Sequence, residues 1–212
     1  MSLLRTSLRR LLLVLLLTGF MVLPAAPVFA EEAVLAGGCF WCLEHDLEHL
    51  PGVEEVVSGY SGGSVRNPTY HQVSAGGTGH QEAVRVRFDP ARISYATLLR
   101  SYWRNVDPLD GGGQFCDRGS SYRPVIFPRG EAQLREARAS LQDAARELHQ
   151  PATAIRVQIR PLKTFWPAEG YHQNYAELNA LRYRYYRWAC GRDRRLDAVW
   201  GARARRGQPW AG

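Results

Sequence analysis

Apolar residues change their spacing several times along the chain, and each change marks an element. Residues 11–23 are apolar without period. Residues 33–36 form a short apolar run that stops at Gly37-Gly38, which predicts a strand and a tight turn. Phe40, Leu43, Leu47 and Leu50 recur at helical spacing, and Pro51-Gly52 ends that helix. Residues 53–60 predict a strand, and the stretch to Gly79, rich in Gly, Ser, Thr, Asn and Pro, predicts an ordered loop. Val84, Val86 and Phe88 alternate with polar neighbours, as in a half-buried strand over 82–88. Ser94 is placed to cap a helix carrying Tyr95, Leu98, Leu99, Tyr102, Trp103 and Val106. After a second Gly-rich segment at 107–122, residues 124–127 predict a strand and 130–149 an amphipathic helix. Ile155, Val157 and Ile159 alternate again, and the tail from Tyr171 to Trp200 is aromatic and rich in Arg. The order β-α-β-β-α-β-α-β implies an antiparallel or mixed sheet with helices packed on it.

The first 30 residues have the layout of a secretory signal peptide. Arg5, Arg9 and Arg10 precede the apolar run, Pro24 breaks it, and Val28-Phe29-Ala30 offers a small residue at the cut. The run is shorter than the ~20 residues of a spanning helix. Cleavage and a periplasmic or secreted protein are therefore expected, with an uncleaved anchor as the alternative. Leu8 stands where a twin-arginine signal prefers a polar residue, which favours the general export route. No linker or repeat divides residues 31–212, so they are read as one domain.

Composition narrows the class. With 45% hydrophobic and 22% charged residues, the chain is neither disordered nor fibrous. The net charge of +7 falls to +4 once the three leader arginines are gone. The remaining basic residues are scattered and nearly all Arg; clusters such as Arg192, Arg194 and Arg195 read as a solvated face, and no nucleic acid partner is expected. Both methionines, Met1 and Met21, lie in the leader.

All four cysteines, Cys39, Cys42, Cys116 and Cys190, follow the leader. They permit two disulfides in an oxidising compartment, yet a chain this long folds without staples, so redox chemistry is equally open. Cys39 sits where a strand stops and a helix starts. Free N–H groups and the helix dipole there favour a thiolate. Gly37 and Gly38 would allow a sharp turn and leave space for a substrate. Phe40 and Trp41 serve either as core or as walls of an apolar pocket. Cys42 makes a C-x-x-C pair with Cys39, which suits a dithiol; with His45 and His49 the pair also falls on one helix face, an arrangement that weakly suits a metal.

Gly-Cys-Phe-Trp at 38–41 with Leu43-Glu44 resembles the signature of the type A peptide methionine sulfoxide reductases. The likeness continues in order through Ser58-Gly59-Tyr60-Ser61-Gly62-Gly63, Asn67-Pro68-Thr69-Tyr70, Thr78-Gly79-His80-Gln81-Glu82 and Phe88-Asp89-Pro90. It extends through Asp107-Pro108, Gly113-Gln114-Phe115-Cys116-Asp117-Arg118-Gly119, Ser121-Tyr122-Arg123, Ala168-Glu169-Gly170-Tyr171-His172-Gln173 and Cys190-Gly191-Arg192-Asp193.

The resemblance implies an α+β fold, a two-layer ferredoxin-like core with long coil segments wrapped around it. It implies that Cys39 attacks the sulfur of methionine-S-sulfoxide while Glu82 supplies a proton. Phe40 and Trp41 would hold the methyl group, Tyr60 and Tyr122 would hydrogen-bond the oxygen, and Asp117 would order the pocket. The sulfenic acid left on Cys39 needs a second thiol. Cys190 in the tail is preferred over Cys42, with Cys116 a relay or plain packing. No bound cofactor or metal is implied. The expected partners are oxidised proteins and an external thioredoxin-like dithiol, and the enzyme is expected to be a monomer. The rivals are a thiol–disulfide oxidoreductase built on Cys39 and Cys42, and a metal-binding module.

Overall fold

The computed structural model describes residues 29–207 and 210; residues 1–28 of the expected leader lie outside them. From the N-terminal side, β1 (Glu31–Ala36), α1 (Phe40–Glu48) and β2 (Val53–Ser61) are followed by a short α2 (Tyr70–Ser74), β3 (Gln81–Phe88) and α3 (Tyr95–Trp103). A two-strand ribbon, β4 (Gly113–Gln114) with β5 (Asp117–Arg118), precedes β6 (Val125–Phe127) and α4 (Gly130–Glu147). Short strands β7 (Gln158–Ile159) and β8 (Phe165–Pro167) lead to α5 (Tyr175–Leu178), α6 (Ala180–Ala189) and α7 (Arg192–Trp200).

Six strands form one sheet in the order β7-β6-β1-β3-β2-β8. β1 and β2 both pair antiparallel with β3, so β1-α1-β2 is a β-α-β unit with β3 inserted between its strands. β6 pairs antiparallel with β1, so β3-α3-β6 is a second such unit around β1. This interleaving is the ferredoxin-like plan, widened by β8 and by β7, the one parallel neighbour.

Alternation sorts the strand residues onto two faces. Ala33, Leu35, Val84, Val86 and Phe88 share a core with Leu43 and Leu47 of α1 and Leu98 and Tyr102 of α3. Val34, Ala36, Ala83 and Phe127 point the other way, where Leu162 and Phe165 cover them. Buried polar groups on the helices find partners: Tyr102 donates to the Ala36 carbonyl at 2.8 Å and Trp103 Nε1 to Ser140 Oγ at 2.9 Å.

Three features differ from the sequence expectation. α2 lies inside the stretch read as loop, started by a capping box between Thr69 and Gln72. The strand expected from Ile155 shrinks to Gln158–Ile159; Ile155 and Val157 are buried, but a 3₁₀ turn at Ala152–Ala154 keeps them off the sheet. The tail wraps the domain as helices rather than coil. Arg192, read as part of a solvated face, is 1% exposed, and Arg195 pairs with Asp107 at 2.6 Å.

α3 and α4 are joined by an ion pair closed to solvent. Arg104, at the end of α3, donates Nε to Glu147 Oε1 at 3.1 Å and a terminal nitrogen to Oε2 at 2.8 Å. Removing one partner strands the other charge in the core. Glu147→Leu is expected to lower stability by about 3–5 kcal/mol, read as the midpoint shift in urea unfolding.

Candidate active site

Cys39 is the N-cap residue of α1, between Gly38 at φ +84° and Phe40. A Cβ on Gly38 would lie 2.7 Å from Gln114 Cβ, and one on Gly37 2.7 Å from Val106 Cγ1. The glycines therefore make room for protein, not for substrate. Gln114 is fully buried; its Oε1 accepts from the Asp107 N–H at 2.7 Å and its Nε2 donates to the Asp107 carbonyl at 2.9 Å. That clamp presents the following Cys116-Asp117 segment to Cys39.

A cavity of about 80 Å³ opens above Cys39, lined by Phe40, Trp41, Tyr70, Glu82, Asp117, Tyr122 and Tyr186. Glu82 rises from β3, and its Oε2 accepts the Phe40 N–H at 3.1 Å, one of the free donors of the helix start. The Tyr122 hydroxyl lies close enough to Glu82 to favour its charged form. Asp117 accepts the Tyr186 hydroxyl at 2.6 Å, and the nearby Cys39 N–H lowers its pKa against the rise caused by burial. Trp41 stacks on Tyr175 with ring centres 3.7 Å apart and planes 9° apart, and its Nε1 donates to His172 Nδ1 at 3.1 Å. Burial lowers the pKa of His172, which suits a neutral, accepting ring.

Tyr60 does not reach this cavity. It is wholly buried and its hydroxyl donates to Glu169 Oε2 at 2.8 Å. Glu169 Oε1 in turn accepts the Tyr70 N–H at 2.8 Å. The phenol facing the cavity beside Tyr122 is thus Tyr70, at the first position of α2. Tyr186 on α6 was also missed. The Thr69-x-x-Gln72 capping box was a readable sign that Tyr70 is held rigidly; nothing in the sequence places Tyr186 near Cys39.

The four cysteines fall into two pairs. Cys39 and Cys42 are free thiols, buried together against Ala176 and Tyr183, and hydrogen-bonded to each other. Cys190, at the end of α6, is joined by a disulfide to Cys116 rather than lying beside Cys39. The Cys116 and Cys190 sulfurs and the Asp117 carboxylate lie within 4.8 Å of one another, so this disulfide borders the cavity wall. Cys116 is exposed to solvent.

The sequence model of the Peptide methionine sulfoxide reductase family matches residues 31–204. The chain belongs to the peptide methionine sulfoxide reductase family. It is 52% identical to peptide methionine sulfoxide reductase MsrA 2 of Caulobacter vibrioides, over 91% of this chain and 99% of that protein. Identity to MsrA 2 of Rhizobium meliloti is 47%, over 92% and 96%. The solved methionine sulfoxide reductase A of Corynebacterium diphtheriae superposes with a TM-score of 0.68 at 32% identity, covering 75% of this chain and 79% of that one. The enzyme is thus a peptide methionine sulfoxide reductase of the MsrA type, and a thiol–disulfide oxidoreductase or metal module is set aside as its main activity.

Electrostatics at the reductase site differ from the sequence expectation for Cys39. Burial, followed by Cys42 and the Glu82 and Asp117 carboxyls, pushes its thiol well above the usual value. Cys42 moves down, because Cys39 donates a hydrogen bond to it and the Arg192 and Arg187 guanidiniums lie near. Within the pair, the proton is held more tightly on Cys39 than on Cys42. Burial raises Glu82 to about 8, against the lowering effect of the Phe40 N–H and Tyr122 hydroxyl. At neutral pH it is a neutral acid facing the cavity.

A group acting as an acid is competent only below its folded pKa. Turnover is expected to fall as pH rises through about 8. Glu82→Gln should remove that alkaline limb and cost about 10²–10⁴ in rate, read from the pH profile of kcat/KM. Tyr70→Phe should lower kcat by about 10²–10³. Tyr60→Phe should leave kcat largely unchanged and cost about 1 kcal/mol of stability, which urea unfolding alongside steady-state kinetics resolves.

Proposed function

We propose that the enzyme repairs methionine-S-sulfoxide in proteins of the cell envelope, and also takes the free amino acid. The observation that carries this reading is the neutral Glu82 carboxyl and the Cys39 sulfur on one small aromatic cavity. Phe40 and Trp41 offer the apolar wall for the S-methyl group. Glu82, Tyr122 and Tyr70 face the oxygen. A tetrahedral sulfur with its methyl on the wall and its oxygen at the acid exposes its back to Cys39 in one hand only, which selects the S epimer.

In this reading Cys42 takes the Cys39 proton as the sulfur attacks. Glu82 protonates the departing oxygen, which transfers to Cys39, leaving methionine and a sulfenic acid. Cys42 then displaces water from that sulfenic acid and forms a Cys39–Cys42 disulfide. This replaces the direct role expected for Cys190. Reduced Cys116 and Cys190 next exchange with that disulfide, regenerating Cys39 and Cys42 and leaving Cys116–Cys190 oxidised. An external thioredoxin-like dithiol reduces the latter. Leu181, Tyr185 and Trp188, all strongly exposed, line the outer face of α6 toward Cys190 and suit such a partner.

Export rests on the leader, and the family match begins at residue 31, just past it. Immunoblotting of cell fractions for a shortened, periplasmic form checks it.

The enzyme should consume the S and spare the R epimer of N-blocked methionine sulfoxide with dithiothreitol, and Cys39→Ser should abolish turnover. Cys42→Ser should release one methionine per chain and stop when a thioredoxin-like protein is the only reductant. Sustained turnover of that variant would discard the role given to Cys42.

A further inference from the structure

We propose that the last turn of α1 binds a single divalent transition-metal ion of the Zn²⁺ class, ligated by His45, Glu48 and His49. These residues are spaced i, i+3, i+4, so their side chains leave one face of the helix. One donor atom from each lies within 4.8 Å of the other two. Glu48 Oε1 stands 3.5 Å from His45 Nδ1 and 3.6 Å from His49 Nδ1. With metal–ligand bonds of about 2.0–2.2 Å, neighbouring tetrahedral donors are about 3.3–3.5 Å apart. Both Glu48–histidine distances therefore already suit one ion, and the two histidine nitrogens, within 4.8 Å of each other, would close onto it.

Three further observations point the same way. His45 Nδ1 is shielded from solvent and faces the Glu48 carboxylate at 3.5 Å without a well-formed hydrogen bond. Glu177 on α5 places Oε1 3.9 Å from the opposite nitrogen of the His49 ring, from which a small side-chain shift would let it hydrogen-bond and orient a ligating imidazole. The end of a helix also carries partial negative charge, which favours a cation. His49 Nδ1 now donates to the His45 carbonyl at 3.0 Å, and the ion would take the place of that proton.

The site is separate from the reaction. In sequence, His45 and His49 share a helix face with Cys39 and Cys42. In the fold, both thiols are sealed beneath the cavity, whereas His49 is 60% exposed at the far end of the helix. An ion held there would tie α1 to α5, the helix that supplies Tyr175 beneath Trp41. Its expected effect is on thermal stability, with little on the chemical step.

Cobalt(II) is the spectroscopic probe, since thiolate ligands announce themselves by charge-transfer bands. The full chain, free of any affinity tag and carrying Cys39→Ser and Cys42→Ser with the Cys116–Cys190 disulfide intact, should bind one Co²⁺ with d–d bands and no thiolate charge transfer. Zn²⁺ calorimetry on the wild-type chain, in parallel, keeps the test independent of how that variant folds. One-to-one binding should disappear in His45→Ala and in His49→Ala, and weaken about tenfold in Glu177→Gln. Bound Zn²⁺ should raise Tm in the wild type and not in His45→Ala. Absence of binding, thiolate charge transfer when Co²⁺ is added to the wild-type chain, or binding indifferent to both histidine variants would overturn the proposal.

Discussion

The bond from the Phe40 N–H to the Glu82 carboxyl holds the site together. It ties the start of α1 to the middle of the sheet, and it does so with a group that is 3% exposed. A carboxylate in that position would be costly to keep charged, so burial keeps the proton on it. The same bond sets the distance between Glu82 and Cys39, since Phe40 is the next residue. The bond thus fixes the position of the acid, while burial, working against that bond, fixes its protonation state.

The thiol chemistry follows from a similar compromise. A cysteine at a helix start was expected to be acidic, and the free N–H groups are indeed there. However, the Phe40 N–H goes to the Glu82 carboxyl, and the Cys39 side chain caps none of the free donors. Burial then dominates and raises the thiol. Cys42, nearer the Arg187 and Arg192 guanidiniums, becomes the more acidic partner. The proton is thus held more tightly on Cys39 than on its neighbour, beside a second pair, Cys116 and Cys190, of which Cys116 is exposed.

The C-terminal helices owe their position to buried cations. Arg192 donates to the carbonyls of Asn105 at 2.6 Å and Gly37 at 3.4 Å, with its guanidinium 4.4 Å from the Phe115 ring centre. Arg187 bridges Asp46 of α1 at 2.8 Å and Asp193 at 2.7 Å. These contacts bring Tyr186 and Cys190 to the active-site wall. They also explain why a basic tail need not signal an acidic partner.

Much of this was legible in the chain itself. The apolar run at 33–36, the alternation at 82–88 and the helical spacing from Phe40 and Ser94 marked the elements, because local geometry dictates which faces are apolar, while the interleaved plan came from the family resemblance. Cys39, Phe40, Trp41, Glu82, Asp117 and Tyr122, read from ordered motifs, all line one cavity. The choice between Tyr60 and Tyr70, the pairing of Cys190 with Cys116, the burial of Arg192 and the protonation of Cys39 were settled only by the fold. Each depends on which distant groups compete for the same hydrogen bond or share the same dry space. Sequence spacing determines what a segment can present; only tertiary packing decides what it meets, and desolvation then decides its charge.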